Sequence, residues 1–357
     1  MRDIERYVLQ VMNARAPDGN EVVQAQKAIF YYRSWVTTHL NLRTIRSLRG
    51  KLALWYDRAK RDLPWRRTRD PYAIWISEVM LQQTRVAAVI PYYRRFLDRF
   101  PDATALAQAP EPELLALWSG LGYYSRARNL QKAARQVVES GSFPKTYSSI
   151  LGLAGVGTYT AAAIASISFG LPHAVVDGNV RRVITRWTNN GHIDAQKIAD
   201  NLLDRDDPAR WNQALMELGA TICLPRDPRC KECPVAAHCA SRRAGTQNNL
   251  PLKRAKATPE RLAQTLLVIR RKGRTLLIPS PRVQGFWDLP EPYALSRPGA
   301  TVGEFRHTIT HRHYHFTVKE ASARVGPTGS RWHTEKELEQ IPLSTTAKKA
   351  LRIYNAL

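Results

Sequence analysis

Two carboxylic acids stand where their surroundings would drive them toward opposite protonation states. Glu78 lies in the run Ile74–Ile90, IWISEVMLQQTRVAAVI, which reads as one helix ending before Pro91. One turn away it has Ile74, Trp75, Leu81 and Gln82, a largely apolar setting. Desolvation there favours the neutral acid and raises its pKa, and a neutral acid can protonate a leaving group. Asp177 follows the apolar Val175-Val176 and precedes a helix read over Val180–Trp187. Free N–H groups and the helix dipole favour the anion at such a position. An acid and an anion with environments that push their pKa values apart is the division used at glycosidic bonds. Each residue also has a plainer role, Glu78 on a helix surface and Asp177 as an N-cap.

All four cysteines of the chain fall between residues 223 and 239: Cys223, Cys230, Cys233 and Cys239, spaced C-x6-C-x2-C-x5-C. Four thiolates on one short loop suit a single metal centre, a four-thiolate zinc or an iron–sulfur cluster, in preference to a disulfide pair. A third pattern is Leu153-Ala154-Gly155-Val156-Gly157, which opens a helix read over Thr158–Phe169. Gly155 and Gly157 let the backbone turn tightly and aim N–H groups at a phosphate oxygen, without sequence preference. A plain helix–helix turn would use the same glycines.

The elements that carry these residues are mainly helical from Lys51 to about Ala240. Apolar residues recur there at three- and four-residue spacing, punctuated by Pro64, Pro71, Pro91, Pro101, Pro144, Gly120, Gly122 and Gly141. Ser241–Glu260 is polar and basic, as a connector is, and β-like runs follow at Gln264–Arg270, Thr275–Ile278 and Glu304–Val318. A closing helix is read over Thr345–Tyr354. The organisation is therefore an extension over 1–50, a helical core over 51–240, a linker over 241–260 and a smaller α+β domain over 261–357. Within the extension, helical stretches are read around Val8–Met12 and Val22–Leu40.

Lys and Arg number 54 against 30 acidic residues, a net charge of +24 spread through the folded segments, which points to a polyanionic partner and above all to nucleic acid. The most apolar stretch, Ala161–Val176, is interrupted by Gly170, Pro172 and His173 and falls short of the roughly 20 residues of a membrane span. The N-terminus lacks the pattern of a secretory signal, so a cytoplasmic protein with reduced thiols is expected.

Taken together, LPW at 63–65, SEVMLQQT at 77–84, GLGYYSRARNL at 120–130, LAGVGTYTA at 153–161, VDGNV at 176–180 and the cysteine spacing resemble the adenine DNA glycosylases of the MutY type, in the helix–hairpin–helix superfamily that includes endonuclease III. The resemblance runs in the family's order from about Leu52 to Cys239 and continues more weakly to about Phe316. It implies a multidomain chain, with an all-α helix–hairpin–helix glycosylase core, an iron–sulfur cluster loop and a smaller α+β Nudix-like C-terminal domain. It implies excision of adenine mispaired with 8-oxoguanine or guanine, by a monomer acting on double-stranded DNA, with the adenine extruded into a pocket. Glu78 matches the family's general acid and Asp177 the aspartate that stabilises or captures the oxocarbenium ion. Asn179 matches a residue that orients water and sugar, and Tyr159 a tyrosine beside the anomeric carbon.

Bifunctional relatives carry a lysine at the position of Tyr159, which forms a Schiff base leading to strand cleavage; a phenol cannot, so a monofunctional enzyme is implied. Lys132 and Lys145 do not stand at the matching site. Trp65, Arg66 and Gln213 match the adenine pocket, while Gln83 and Tyr123, with Leu81 beside them, match residues wedged into the base stack. The cysteines match the ligands of a 4Fe-4S cluster that shapes a loop against DNA, where Arg226, Arg229 and Lys231 are phosphate-contact candidates. In the C-terminal segment Gly285–Pro290 resembles the family's Gly-Leu-Trp segment, without a Nudix hydrolase signature. The family's Phe-Ser-His recognition motif for 8-oxoguanine corresponds to Ile309, Thr310 and His311, with the ring lost. His311, His313 and His315 alternate, a weak pattern for zinc, and Ala154 replaces a proline usual in the hairpin. Two other readings are weighed: a bifunctional glycosylase for oxidised pyrimidines, opposed by Tyr159, and a non-catalytic DNA-binding iron–sulfur protein, opposed by Glu78 and Asp177.

Overall fold

The computed structural model describes residues 42–252, 260–309 and 312–356. The helices read around Val8–Met12 and Val22–Leu40, and the candidates Thr310 and His311, lie outside the described residues. The described residues form two compact units. One holds 42–69, 145–151 and 157–252; the other holds 70–144, 152–156 and the C-terminal residues from 260 onward.

In the first unit every described element is helical: α1 (Leu42–Ala59), α7 (Tyr147–Leu151), α8 (Thr158–Phe169), α9 (Gly178–Thr188), α10 (Ala195–Leu202), α11 (Pro208–Thr221) and α12 (Ala240–Ala244), with 3-10 turns at Pro64–Arg66 and Ala236–His238. α1 runs through residue 50, and Ile45 and Leu48 near its start are buried beside Leu52, Trp187 and Leu218. α8 reads TYTAAAIASISF and buries Thr160–Ile167 continuously, because small side chains on every face let neighbours pack close all round. It stops at Gly170, whose left-handed φ of +66° lets the N–H groups of Gly170 and Leu171 satisfy the carbonyls of Ser166 and Ala165. α10 and α11 start on Asp194 and Asp207, whose carboxylates accept from the first free N–H groups.

The second unit holds α2 (Pro71–Leu81), α3 (Val86–Arg99), α4 (Ala103–Gln108), α5 (Glu111–Trp118) and α6 (Ser125–Glu139). The sequence pattern gave one helix over Ile74–Ile90; the structure has two. The chain leaves the helix at Gln82, turns through Gln83 at φ +58°, and restarts at Val86. Pro91 accordingly ends nothing and sits inside α3. Ala87 and Pro91 lie on its exposed side, where solvent can take the carbonyl deprived of a donor. Trp75, Phe96, Phe100 and Trp118 fill the interior.

The C-terminal part of this unit is a mixed sheet of β1 (Glu260–Arg271), β2 (Arg274–Pro279), β3 (Trp287–Asp288), β4 (Arg297–Ile309), β5 (Arg312–Ser322) and β6 (Arg331–Thr334), with α13 (Glu335–Gln340) and α14 (Thr345–Tyr354). The strand order is β3-β2-β1-β5-β4, with β6 beside β2; β1 and β5 run parallel and the other pairs antiparallel. The β-like run Glu304–Val318 falls in two strands, β4 and β5, in antiparallel register with Phe305 opposite Phe316. Ala347, Ala350 and Leu351 of α14 cover the face carrying Leu266, Val268, Phe316 and Val318. Phe286 packs on Tyr124 with ring centres 4.0 Å apart, and the Ser119 hydroxyl donates to the Leu343 carbonyl at 3.3 Å, so the sheet is fastened to α5 and α6 within this unit.

Candidate active site

Asp177 is the N-cap of α9, and its two oxygens have different partners. Oδ1 accepts from the Val180 N–H at 2.7 Å, while Oδ2 accepts from Asn179 Nδ2 at 2.8 Å. Asn179 is held in turn by Arg182, whose Nη2 donates to Asn179 Oδ1 at 2.9 Å and to the Gly219 carbonyl at 2.7 Å. Gly219 is needed for this approach, since a Cβ there would fall 2.6 Å from Asn179 Cβ. The segment entering Asp177 is pinned by the buried Asn212, which accepts from the Val175 N–H and donates to the His173 carbonyl and the Ser166 hydroxyl. The carboxylate is thus half-buried, anchored on both oxygens and faced by donors. Tyr159 lies one residue into α8, its hydroxyl 3.6 Å from Met216 Sδ.

Trp65, Arg66 and Gln213 belong to the same unit. Trp65 is buried on the 3-10 turn. The Arg66 guanidinium donates to Glu217 Oε2 at 2.6 Å and lies over the Tyr56 ring, and the Tyr56 hydroxyl donates to Gln213 Oε1 at 3.2 Å. Glu217 is fully buried and also accepts from Arg61, from both its backbone and its side chain. Burial alone would raise its pKa; the hydrogen bonds from Arg61 and Arg66 outweigh that and hold it at about 2.

Glu78 belongs to the second unit and is 5% exposed, in a helix whose residues Tyr72–Met80 are all buried. That burial removes the surface-residue reading. In the same unit Leu81 ends α2, Gln83 is exposed in the following turn, and Tyr123 is exposed at φ +50°. The hairpin joins α7 to α8: Gly155 has φ +74°, Val156 N–H donates to the Leu153 carbonyl, and Gly157 is the N-cap of α8 with its backbone exposed. Gln136 Oε1 accepts from the Ala154 N–H at 2.8 Å and holds the turn where the family's proline is replaced.

The four cysteines, free of disulfides, line one cavity together with Arg186 and Gln247. Among the described residues no group of three or more His, Cys, Asp and Glu side chains forms a site for a single metal ion. Burial pushes the Cys233 thiol up to about 12 and raises those of Cys230 and Cys239. Thiols so costly to ionise alone need a bound cation to become thiolates. Arg186, also buried, donates to Cys223 Sγ at 3.3 Å and to the carbonyls of Leu224, Pro225 and Leu250, and so fixes the loop's entry and exit. Gln247 Oε1 is buried without a hydrogen-bond partner on the cavity wall. Arg226, Arg229 and Lys231 are all exposed on this loop.

Residue typing missed Arg61, Glu217, Asn212, Arg182 and Arg186. The available signal was Arg182 and Arg186 four apart in a helix with apolar neighbours on both sides of them. Ile309, beside the undescribed Thr310, lines a cavity of about 520 Å³ with Tyr123, Arg282, His307 and Ser344. His315 pairs with Glu304 at 2.8 Å.

Residues 76–205 match the model of the HhH-GPD superfamily of base excision DNA repair proteins. The adenine DNA glycosylase of Homo sapiens is 34% identical over 405 residues, spanning 87% of this chain and 74% of the human protein. The one of Mycolicibacterium smegmatis is 42% identical over 207 residues, 55% of this chain and 69% of that protein. Among solved structures, a thermostable thymine-DNA glycosylase superposes with a TM-score of 0.54 at 30% identity, over 58% of this chain and 99% of that one. Endonuclease III in a non-covalent DNA complex gives 0.51 at 23% identity, over 57% and 98%, a likeness of fold.

Proposed function

The chain belongs to the adenine DNA glycosylases of the endonuclease III superfamily, and from that premise we propose that it excises adenine mispaired with 8-oxoguanine in duplex DNA by hydrolysis, without cutting the strand. The observation that carries this reading is the contrast between its two carboxyl groups. Glu78 is enclosed in an apolar helix, while Asp177 is half-exposed with a donor on each oxygen.

In this reading Glu78 donates its proton to N7 of the extruded adenine, so the base departs as a neutral molecule. The glycosidic electron pair leaves with the base, and positive charge develops on the sugar. Asp177 stabilises that charge, held in place by the Val180 N–H, Asn179 and Arg182 rather than free to rotate away. Glu78, now ionised, takes a proton from the water that adds to the anomeric carbon, and the acid is restored. Tyr159 cannot form a Schiff base, which supports a monofunctional enzyme.

The four cysteines would hold a 4Fe-4S cluster that shapes the loop bearing Arg226, Arg229 and Lys231. That all four line one cavity supports a single shared group there. Iron and acid-labile sulfide in equal amounts, with no zinc, is the expected composition of the purified protein.

The deciding experiment is excision from duplexes bearing adenine opposite 8-oxoguanine and opposite guanine, scored with and without hot alkali. Alkali-dependent cleavage is expected from the native chain. Glu78→Gln should bind the duplex and leave it intact; full activity in that variant would remove Glu78 from the role. Stoichiometric trapping of native protein by borohydride would favour the bifunctional reading.

A further inference from the structure

Gln83 and Tyr123 are non-glycine residues in left-handed backbone, at φ +58° and +50°. Such conformations persist only where the surroundings over-determine them. Both side chains are exposed, so packing of the side chains themselves does not hold them.

One guanidinium reaches both turns. Arg126 is the second residue of α6, and its side chain leaves that helix altogether. Nη1 donates to the carbonyls of Val79 at 2.7 Å, Met80 at 3.3 Å and Gln82 at 2.7 Å. Nη2 donates to those of Leu121 at 3.1 Å and Gly122 at 3.2 Å. Val79 and Met80 belong to the last turn of α2, whose carbonyls lack intrahelical donors and attract a cation. The group also lies 5.4 Å from the centre of the Trp118 ring and 5.7 Å from that of Tyr123. A cation in the first turn of α6 opposes that helix's own dipole, so local helix stability does not account for it. Lysine could not reproduce the arrangement, because it is a point charge where this site uses the two edges of a rigid plane.

We infer that Arg126 is a positioning residue for base extrusion: it locks the separation and backbone conformation of the Gln83 and Tyr123 turns, so that both side chains enter the base stack together. The inference rests on the proposed function and on the match of Gln83 and Tyr123, by sequence resemblance, to residues wedged into the base stack. Arg126 touches neither the base nor the sugar in this scheme and acts through Tyr123 and Gln83.

The test uses the full chain and a duplex with 2-aminopurine at the target position, whose fluorescence rises on unstacking. Arg126→Lys should bind duplex at low salt within about threefold of the native protein, since backbone charge dominates that binding. Its fluorescence rise should be lost, and its single-turnover excision at saturating enzyme should fall about a hundredfold, the loss a shift of about 1 Å produces. Tyr123→Ala should slow the native protein strongly but the Arg126→Lys protein little, because the two act as a unit. A native fluorescence rise in folded Arg126→Lys, or fully additive losses, overturns the inference. If that variant does not fold, hydrogen exchange in the native protein decides: amides of 82–84 and 122–124 should be protected without DNA, and exchange at unfolded-chain rates overturns the clamp. Protection and a fluorescence rise without excision of adenine would instead overturn the proposed function.

Discussion

Substituting asparagine at Asp177 separates charge from capping, because Asn and Asp cap helices about equally well. The Asp177→Asn protein should melt close to the native temperature yet excise adenine at least about a hundredfold more slowly, as expected for losing a group aimed at developing charge. Asp177→Ala should add a stability loss of about 1 kcal/mol from the cap. Single-turnover rates and thermal melts on the three proteins check this, and an Asn variant with native rate would make Asp177 a cap only. The carboxylate itself was readable in VDGNV, since an Asp before a helix leaves a short list of roles. Its supports were not. Arg182 and Asn212 read as ordinary helix residues, and only the fold turns them toward Asn179 and the 173–175 segment. Side chains that act on a backbone carbonyl or amide far along the chain leave no local pattern.

The elements were legible where their boundaries carry local chemistry. Helix α8 begins after Gly157 and ends at the left-handed Gly170, and α14 begins after Ser344, whose hydroxyl accepts from the Ala347 N–H. The break between α2 and α3 was not legible, because LQQT contains neither glycine nor proline and apolar residues resume on the far side. Arg126, 44 residues beyond Gln82, caps the end of α2 from outside it. Substitutions at Gly155 and Glu217 test two of these elements. Gly155→Ala combines a left-handed backbone with a Cβ 2.6 Å from that of Asn129. It should cost more than about 1 kcal/mol of stability in denaturant titration and weaken duplex binding; an unchanged midpoint would mean the turn readily relaxes. The second concerns Glu217, which ties the Arg61–Arg66 segment to α11. Its folded pKa of about 2 lies below the ordinary 4.5, so its stabilisation is complete above 4.5 and is lost as pH falls through about 2. Glu217→Gln should be less stable near neutrality by about 3 kcal/mol, the loss on breaking a buried pair. That gap should close across this acid window, and a pH-independent gap would exclude the linkage.

At the scale of the whole molecule, a charge of +24 makes duplex affinity depend on salt, and the dependence can be divided among residues. Each cation that neutralises a phosphate contributes about 0.9 to the slope of log affinity against log salt. Arg226, Arg229 and Lys231 are exposed on the cysteine loop, while Arg186 and Arg182 are buried and committed to the carbonyls around it. The two sets should therefore respond differently. Replacing the exposed three by alanine should lower the slope by about three units and leave the single-turnover rate at saturating enzyme unchanged, because none takes part in the chemistry. Arg186→Ala should lose thermal stability and the cluster proposed for this loop, since it removes the donor to Cys223 and to both flanking carbonyl groups. Binding titrations across a salt series, with metal content measured on each protein, distinguish the two outcomes. An unchanged slope in the triple variant would take the cysteine loop off the DNA and leave its thiols a purely structural task. A changed slope with a native rate would assign the loop to holding the duplex while the carboxyl groups act.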